Sequence, residues 1–441
     1  MIAARDPMHR RHHRHLKCGL LVTILAGACG SFDDAPFQPG GAGGKADNGW
    51  LSAKTFELDG VLVSQVAVRA EGSLAELATD IGLQEQLVDD QLKFGKNAMA
   101  NKGYHLNQLA EAVTIEAVEV EPDPEEGDRV TLRYRAAVDL TARVPWSGDA
   151  PQSLEDLDQT EFVVPLPLDP LKMKQRFGAR CADEEEHPSD YNYYYYFIPD
   201  QEGCDVELHQ AELTLTKVHQ QQVAYPEYDR LLSPLPSGLP GFSVAVLPGV
   251  ARDTVRGRLE DELHLTGEEV EGESFTRYRL PGENVEIVID LFPGSYYFRD
   301  ALGGGYQLVY YHGHSNYGTQ PYFTDPQAFT SGYQIIAMSS CRSYSYYARQ
   351  ILDAKATAED PKGWDATDVI ANVNPGWVGS SSSTLTPLLK ELRAGIEAVR
   401  NDRPEEAPDW LSIVRQMDRV DGSPMYGLAG VRENRWKPPA P

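Results

Sequence analysis

After residue 240 the chain alternates short, unbroken apolar runs with stretches of helical spacing, and this alternation constrains the fold more than any other feature. The runs are Phe242 to Leu247, Asn284 to Phe292, Tyr306 to Tyr311, Tyr333 to Met338 and Asp368 to Val373. Between or after them come Thr254 to Leu263, Tyr296 to Leu302, Tyr344 to Ala356 and Leu385 to Val399. A strand that is apolar on both faces has to be covered on both. The pattern therefore predicts an α/β domain over 241–441, a mostly parallel sheet between helical layers. In open sheets of this kind ligands bind beyond the carboxyl ends of the strands. The residues just past each apolar run are thus the first candidates for a site.

The chain before the Pro-rich stretch Ser233 to Pro240, read as a linker, has a different texture. Phe56 to Val68, Val113 to Val120, Val130 to Val144 and Ala211 to Val218 read as strands, and Leu87 to Leu109 mixes helical spacing with Gly95 and Gly103. The connector Pro122 to Asp128 is acidic and turn-rich. Residues 145–209 carry Pro145, Pro151, Pro165, Pro167 and Pro170 and read as irregular. The expectation is a β-rich α+β domain over 51–232.

The first 17 residues hold five basic side chains and one acid, Asp6, and are followed by an apolar stretch from Gly19 to Ala28. A basic segment, a short apolar run and small residues before a cut describe a signal peptide over 1–28. Leu25-Ala26-Gly27-Ala28-Cys29 resembles a bacterial lipobox, which implies lipidation of Cys29. Ala26 departs from that motif, and plain secretion with cleavage near Ala28 is the alternative. Residues 29–50, with Pro36, Pro39 and a Gly-rich run, read as a flexible tether. The chain is expected to be exported and held at the cell envelope, at the outer membrane or surface, by its lipid alone.

Lys and Arg total 40 against 66 Asp and Glu, a formal net charge of −26. Loss of the leader would remove five bases and one acid and take it to −30. Such an acidic surface argues against nucleic acid as a partner and against electrostatic attraction to anionic lipid.

Of the five cysteines, Cys18 lies in the leader and Cys29 at the lipobox. Cys181 and Cys204 bracket an acidic, Tyr-rich stretch and form a natural disulfide in an oxidising compartment. That leaves Cys341 without a sequence partner, so its neighbours have to explain it.

The third apolar run ends in His312-Gly313-His314-Ser315, and the fourth in Ser339-Ser340-Cys341-Arg342. If these strands are neighbours, an imidazole and a thiol leave the same sheet edge. That is what a cysteine nucleophile needs, a base within reach that stabilises the thiolate and later protonates the leaving amine. Backbone N–H groups of Ser315 and Cys341 would supply an oxyanion site.

The segment Asp300 to Ser315, a helix, a Gly turn, an apolar strand and then Gly-His, resembles the approach to the catalytic histidine in gingipain-type cysteine peptidases. With the strand ending in Cys341 and the stretch Val378-Gly379-Ser380-Ser381, residues 284–384 resemble the caspase-like clan. The resemblance implies an αβα sandwich and a cysteine endopeptidase acting on protein or peptide, with Cys341 as nucleophile and His314 as base. His312, followed by Gly313, fits the His-Gly form of the caspases and is the alternative. Ser315 stands where the family has Gly, whose N–H is aimed by a backbone that glycine adopts readily. Asp290 and Asp325 are the candidates for an acid behind the histidine.

Two other readings compete. His312, His314 and Cys341 have ligand chemistry for zinc, but the metallo-hydrolase pattern His-x-His-x-Asp would need Asp where Asn316 stands. Neither metal nor cofactor is expected. Alternatively Cys341 is a buried structural thiol, and the chain is an inactive peptidase-fold lipoprotein that serves as a binding module.

Overall fold

A computed structural model describes residues 55–69, 79–100, 103–106, 114–122, 129–143, 161–175, 206–219, 223–318, 320–374, 382–421 and 426–439, with 77, 181, 197, 199, 202–204 and 376 singly. The signal peptide, the tether, Cys29 and the Gly-Ser stretch 378–381 lie outside the described residues. Within them the chain forms an N-terminal β-rich body and a C-terminal α/β body.

The first body is an antiparallel sheet of six strands. They are β1 (Thr55–Arg69), β2 (Tyr104–Leu106), β3 (Thr114–Pro122), β4 (Arg129–Arg143), β5 (Glu161–Pro167) and β6 (Leu208–Val218). The order is β2-β4-β1-β6-β5, with β3 also pairing with β4. In β1 and β4 every second side chain is buried: Leu58, Leu62 and Val66 on one, Leu132, Tyr134, Ala136 and Leu140 on the other. Period-two burial marks a sheet covered on one face, and helix α1 (Ile81–Ala100) covers it with Leu87, Val88 and Leu92. The buried Gln91 of α1 is fully engaged. Its Oε1 accepts from the Ser64 and Tyr134 hydroxyls at 3.0 and 2.6 Å, and its Nε2 donates to the carbonyls of Gln65 and Pro167 at 2.8 Å each.

Two expectations change here. Helical spacing from Leu87 to Leu109 gives way at Gly103, whose φ of +81° turns the chain into β2. Residues 161–167, read as irregular because of their prolines, form β5. Among the described residues that strand pairs only with β6, and a sheet edge is where a residue without an N–H does no harm. Cys181 and Cys204 are bridged, with Cα atoms 4.7 Å apart. The bridge follows the short helix α2 (Pro170–Gln175) and packs with Met173 and Phe197 against Phe94 of α1.

The second body begins with helix α3 (Tyr228–Leu231), whose Tyr228 and Leu231 already belong to its core. Ser233–Pro234 (β7) then pairs with the start of β8 (Pro240–Pro248), so the Pro-rich stretch read as a linker is a tight turn on the sheet. The remaining strands are β9 (Glu268–Glu269), β10 (Thr276–Pro281), β11 (Glu286–Leu291), β12 (Leu308–His312), β13 (Gln334–Ser339), β14 (Thr367–Asn372) and β15 (Tyr426–Ala429). The order is β15-β14-β13-β12-β8-β11-β10-β9. The five strands from β14 to β11 run parallel; β15 at one edge and β10 and β9 at the other are antiparallel. The sheet is therefore mixed, with a parallel centre and antiparallel strands at both sides. In β10, buried Thr276, Tyr278 and Leu280 alternate with Arg277 and Arg279, the period of a strand covered on one face.

Both faces are covered. Phe242, Val244, Val246, Ile335 and Ile370 pack against α4 (Arg252–Gly257, continued by a wide turn over Arg258–Glu262), α7 (Leu385–Arg400) and α8 (Trp410–Asp421). In α7 the inward residues Leu385, Leu388, Leu389, Leu392 and Ile396 follow the helical period. Ala245, Leu247, Val309, Ile336, Met338 and Val369 face α5 (Phe298–Gly303) and α6 (Ser343–Lys355).

Candidate active site

β12 and β13 are adjacent and parallel, and His312 stands opposite Ser339 in their register. Gly313 N–H donates to the Ser339 carbonyl at 3.3 Å, and Gly249 N–H, just past β8, donates to the His312 carbonyl at 2.7 Å. The segments that begin at Gly313 and Ser340 therefore leave the same edge of the sheet, side by side.

The two histidines differ sharply. His312 closes β12 and is 1% exposed, whereas His314 lies on the loop beyond it and is exposed. Strand alternation sends His312 to the face that carries Tyr310. There the hydroxyls of Tyr310, Thr384, Tyr426 and Ser339 form a buried chain with links of 3.2, 2.9 and 3.1 Å. His314 is free to meet a ligand arriving at the rim.

Two tyrosines clamp the loop that carries His314. The Tyr311 hydroxyl donates to the His314 carbonyl at 2.7 Å, and the Tyr347 hydroxyl donates to the Ser315 carbonyl. A Cβ on Gly249 or Gly313 would collide with the Tyr311 ring, so both glycines are needed to let it reach its partner. The Tyr311 hydroxyl is held well above its ordinary pKa, first by burial and then by the neighbouring Cys341 sulfur. Among the described residues the left-handed backbone falls on Asn316 (φ +46°) and not on Ser315, so a side chain at 315 brings no strain.

Cys341 lies in the turn between β13 and α6. The next residue, Arg342, adopts φ +48°, a conformation that costs a residue with a Cβ roughly 1–2 kcal/mol. Its N–H donates to the Asn374 carbonyl at 3.0 Å, and the Ser343 hydroxyl ties the turn to the Met338 carbonyl at 2.9 Å. The thiol is 9% exposed, with Sγ 3.6 Å from the Gly376 carbonyl oxygen. Its S–H donates to that carbonyl, and Cys341 immediately precedes Arg342, the N-cap of a 13-residue helix.

The acid candidates are engaged elsewhere. Asp290 is buried in β11, two strands from β12, and pairs with Arg277 through both oxygens at 2.7 and 2.9 Å while accepting from Tyr306 at 2.9 Å. Asp325 accepts the Gln327 N–H at 3.0 Å and pairs with Arg299 at 3.1 Å. Among the described residues no group of three or more His, Cys, Asp or Glu side chains is placed to hold a metal ion, and no helix is long and apolar enough to cross a membrane.

The sequence reading singled out His312, His314, Ser315 and Cys341, and all four lie at the end of the β12–β13 pair. It passed over Tyr311, Asn374 and Gly376, and took Tyr347 as a cleft lining or as packing of a helix on the sheet. The two tyrosines look like ordinary core residues, and only tertiary structure shows where their hydroxyls go. Asn374 lies just past β14, where inspection of strand ends would have found it. No family model and no curated protein matches the chain.

Proposed function

We propose that the second body is a cysteine peptidase domain of caspase- and gingipain-like design, with Cys341 as nucleophile and His314 as its base. The observation that carries this reading is the His312–Ser339 register of two adjacent parallel strands, which brings the His-bearing and Cys-bearing turns out at one edge. Exposure of His314 favours it over His312, since a proton shuttle has to reach the substrate.

In the proposed reaction the Cys341 thiolate attacks the scissile carbonyl, and the tetrahedral oxyanion is met by backbone N–H groups of Cys341 and Ser315. Imidazolium at His314 gives its proton to the departing amine, leaving a thioester on sulfur. Water, deprotonated by the same imidazole, then hydrolyses the thioester and frees the acid and the thiol. The clamps from Tyr311 and Tyr347 fix the loop that carries both the base and one oxyanion donor. The Cys181–Cys204 bridge supports an oxidising compartment. We read the protein as exported and lipid-anchored through Cys29, and a Cys29→Ser variant should then lose incorporation of a labelled fatty acid.

A second reading has its own observation: the thiol is only 9% exposed and borders a backbone carbonyl. On that reading the domain is inactive and serves as a binding module. Incubating the protein with a denatured protein mixture at pH 6 and pH 8 and counting new N-termini separates the two. The peptidase reading expects cleavage that Cys341→Ala abolishes and His314→Ala lowers by about 10²-fold or more. Equal peptide patterns for wild type and Cys341→Ala at both pH values would leave the binding module.

A further inference from the structure

The parallel strands end in more than the His- and Cys-bearing turns. β11 runs into Phe292, whose N–H donates to the Val246 carbonyl of β8 at 2.9 Å, and the chain then passes through Pro293 and Gly294 into the single helical turn Ser295–Tyr297. On this turn Tyr296 keeps 66% of its surface in solvent. The ring is nevertheless held. Its centre lies 4.4 Å from that of Tyr297, and the two hydroxyls are hydrogen-bonded to each other. Tyr297 packs on Phe292 at 5.3 Å, and Phe292 on Phe275 at 5.3 Å. A file of four rings thus runs from the buried core to the surface. Gly294 lets the last ring lie against the backbone, because a Cβ there would stand 2.9 Å from it.

This ring borders the candidate site. The same Cβ position is 3.9 Å from the carbonyl oxygen of Pro248, the last residue of β8. The next residue, Gly249, donates to the His312 carbonyl, and its Cα lies 3.0 Å from where a Cβ on Gly313 would stand. From Tyr296 to the His314 loop the rim therefore crosses from β11 over β8 to β12. Two strand spacings are about 10 Å, a width that an extended peptide covers with about three residues. Arg252, on the first turn of α4 past the same end of β8, places its charge near Tyr296. Its buried Nε has no hydrogen-bond partner. A cationic side chain laid on the ring would be opposed by this guanidinium, whereas an aromatic one would not.

We propose that Tyr296, braced by Tyr297, is a specificity-determining residue of the strand-end rim. It receives an aromatic side chain of a peptide substrate about three residues from the bond to be cut, and Arg252 turns cationic side chains away. Cleavage of that peptide rests on the peptidase reading; its capture on the ring does not. A fixed, exposed ring suits the task, because little freedom is lost when a second ring stacks on it or meets it edge-on.

The test uses the full chain carrying Cys341→Ala, so that no probe is consumed. It reads the affinity of fluorescent, end-blocked octapeptides of alanine and serine in which one position in turn is Phe, Ala or Lys. At one position Phe should bind about three- to tenfold more tightly than Ala. Tyr296→Ala should erase that preference and Tyr296→Phe should keep it, both with the wild-type melting temperature. Lys at that position should bind no better than Ala and gain about twofold in Arg252→Gln. A Phe preference at no position, or one that survives Tyr296→Ala, overturns the subsite. So does Tyr296-dependent binding of an N-acetylglucosamine oligomer without discrimination among the peptides, which would make the ring a sugar platform. Cleavage of the preferred peptide is read separately with Cys341 restored. If Cys341→Ala does not stop that cleavage while the Phe preference still depends on Tyr296, the peptidase reading falls and the subsite stays.

Discussion

In β1 of the first body Leu62 is buried while its neighbour Val63 is 43% exposed; in β13 of the second, all six residues from Gln334 to Ser339 are buried. Among the described residues the first sheet has helices against one face, and the second has them against both. The contrast shows where each body keeps its tolerance. A one-sided sheet can change every other residue freely, and a two-sided sheet has no free positions in its central strands. Functional groups in the second body are accordingly confined to the strand ends, which is where the candidate site lies.

The sharpest way to break this comparison is to crowd each sheet. A Cβ on Gly241 of β8 would run into the backbone carbonyl oxygen of Glu286 across the parallel pair, which cannot yield without parting β8 from β11. Gly241→Ala should cost on the order of 4–5 kcal/mol and unfold the second body first. In the first body a Cβ on Gly60 meets the tips of Leu140 and Leu213 at 3.1 and 3.2 Å, flexible ends that can turn away, and the Thr214 carbonyl at 3.3 Å. Gly60→Ala should cost about 1 kcal/mol. Urea melts followed separately by far-UV and aromatic signals check both.

A milder test truncates neighbouring side chains. Ile335 and Ile336 point to opposite cores, so Ile335→Ala and Ile336→Ala should each cost about 3 kcal/mol. In β1 the same experiment should divide: Leu62→Ala costs about 3 kcal/mol and Val63→Ala less than about 0.5. Equal costs at 62 and 63 would show that the outer face of the first sheet is covered after all.

The same contrast decides what was legible in the sequence. Continuous apolar runs such as Phe242 to Leu247 and Tyr333 to Met338 announce buried central strands, and all five lie where the runs are. The edge strands escaped notice for physical reasons. β15 is four residues long and contains Gly427, β5 carries two prolines, and β10 alternates arginines with its core residues. At the site, residue types and chain order lead to the turns of His314 and Cys341 past neighbouring strand ends, because strand ends are fixed by where apolar runs stop. The Tyr347 clamp, and the contacts of His105 with Asn374 and of Lys96 with the Tyr346 ring, join residues far apart in sequence through hydroxyl, amide and ring contacts. No local pattern encodes such partners.

Each body also buries a polar hub, Gln91 in the first and Asp368 in the second, and these two should differ in their response to pH. Gln91 is neutral at every pH. Asp368, near the start of β14, accepts on one oxygen from Tyr333 at 2.6 Å, Trp410 at 2.7 Å and Asn434 at 2.8 Å. Burial nevertheless pushes its carboxyl up from 3.8 to about 7; the three donors pull it back only in part, and Glu227 adds a further push upward. A carboxyl whose pKa is higher folded than unfolded holds its proton more tightly in the native state. Its contribution is whole below about pH 4 and is lost as pH rises through about 7. The second body should therefore weaken by on the order of 2 kcal/mol between pH 5 and 8 in urea melts. Asp368→Asn keeps an acceptor for the same donors and cannot ionise, so it should flatten that slope. Melts of the first body should show no matching slope from Gln91; burial lowers the His209 imidazole and the Lys96 ammonium there, so the slope these two contribute has the opposite sign. If Asp368→Asn kept the wild-type slope, the proton would have to be bound elsewhere in the second body, and the carboxyl of Asp368 would be ionised under its three donors throughout.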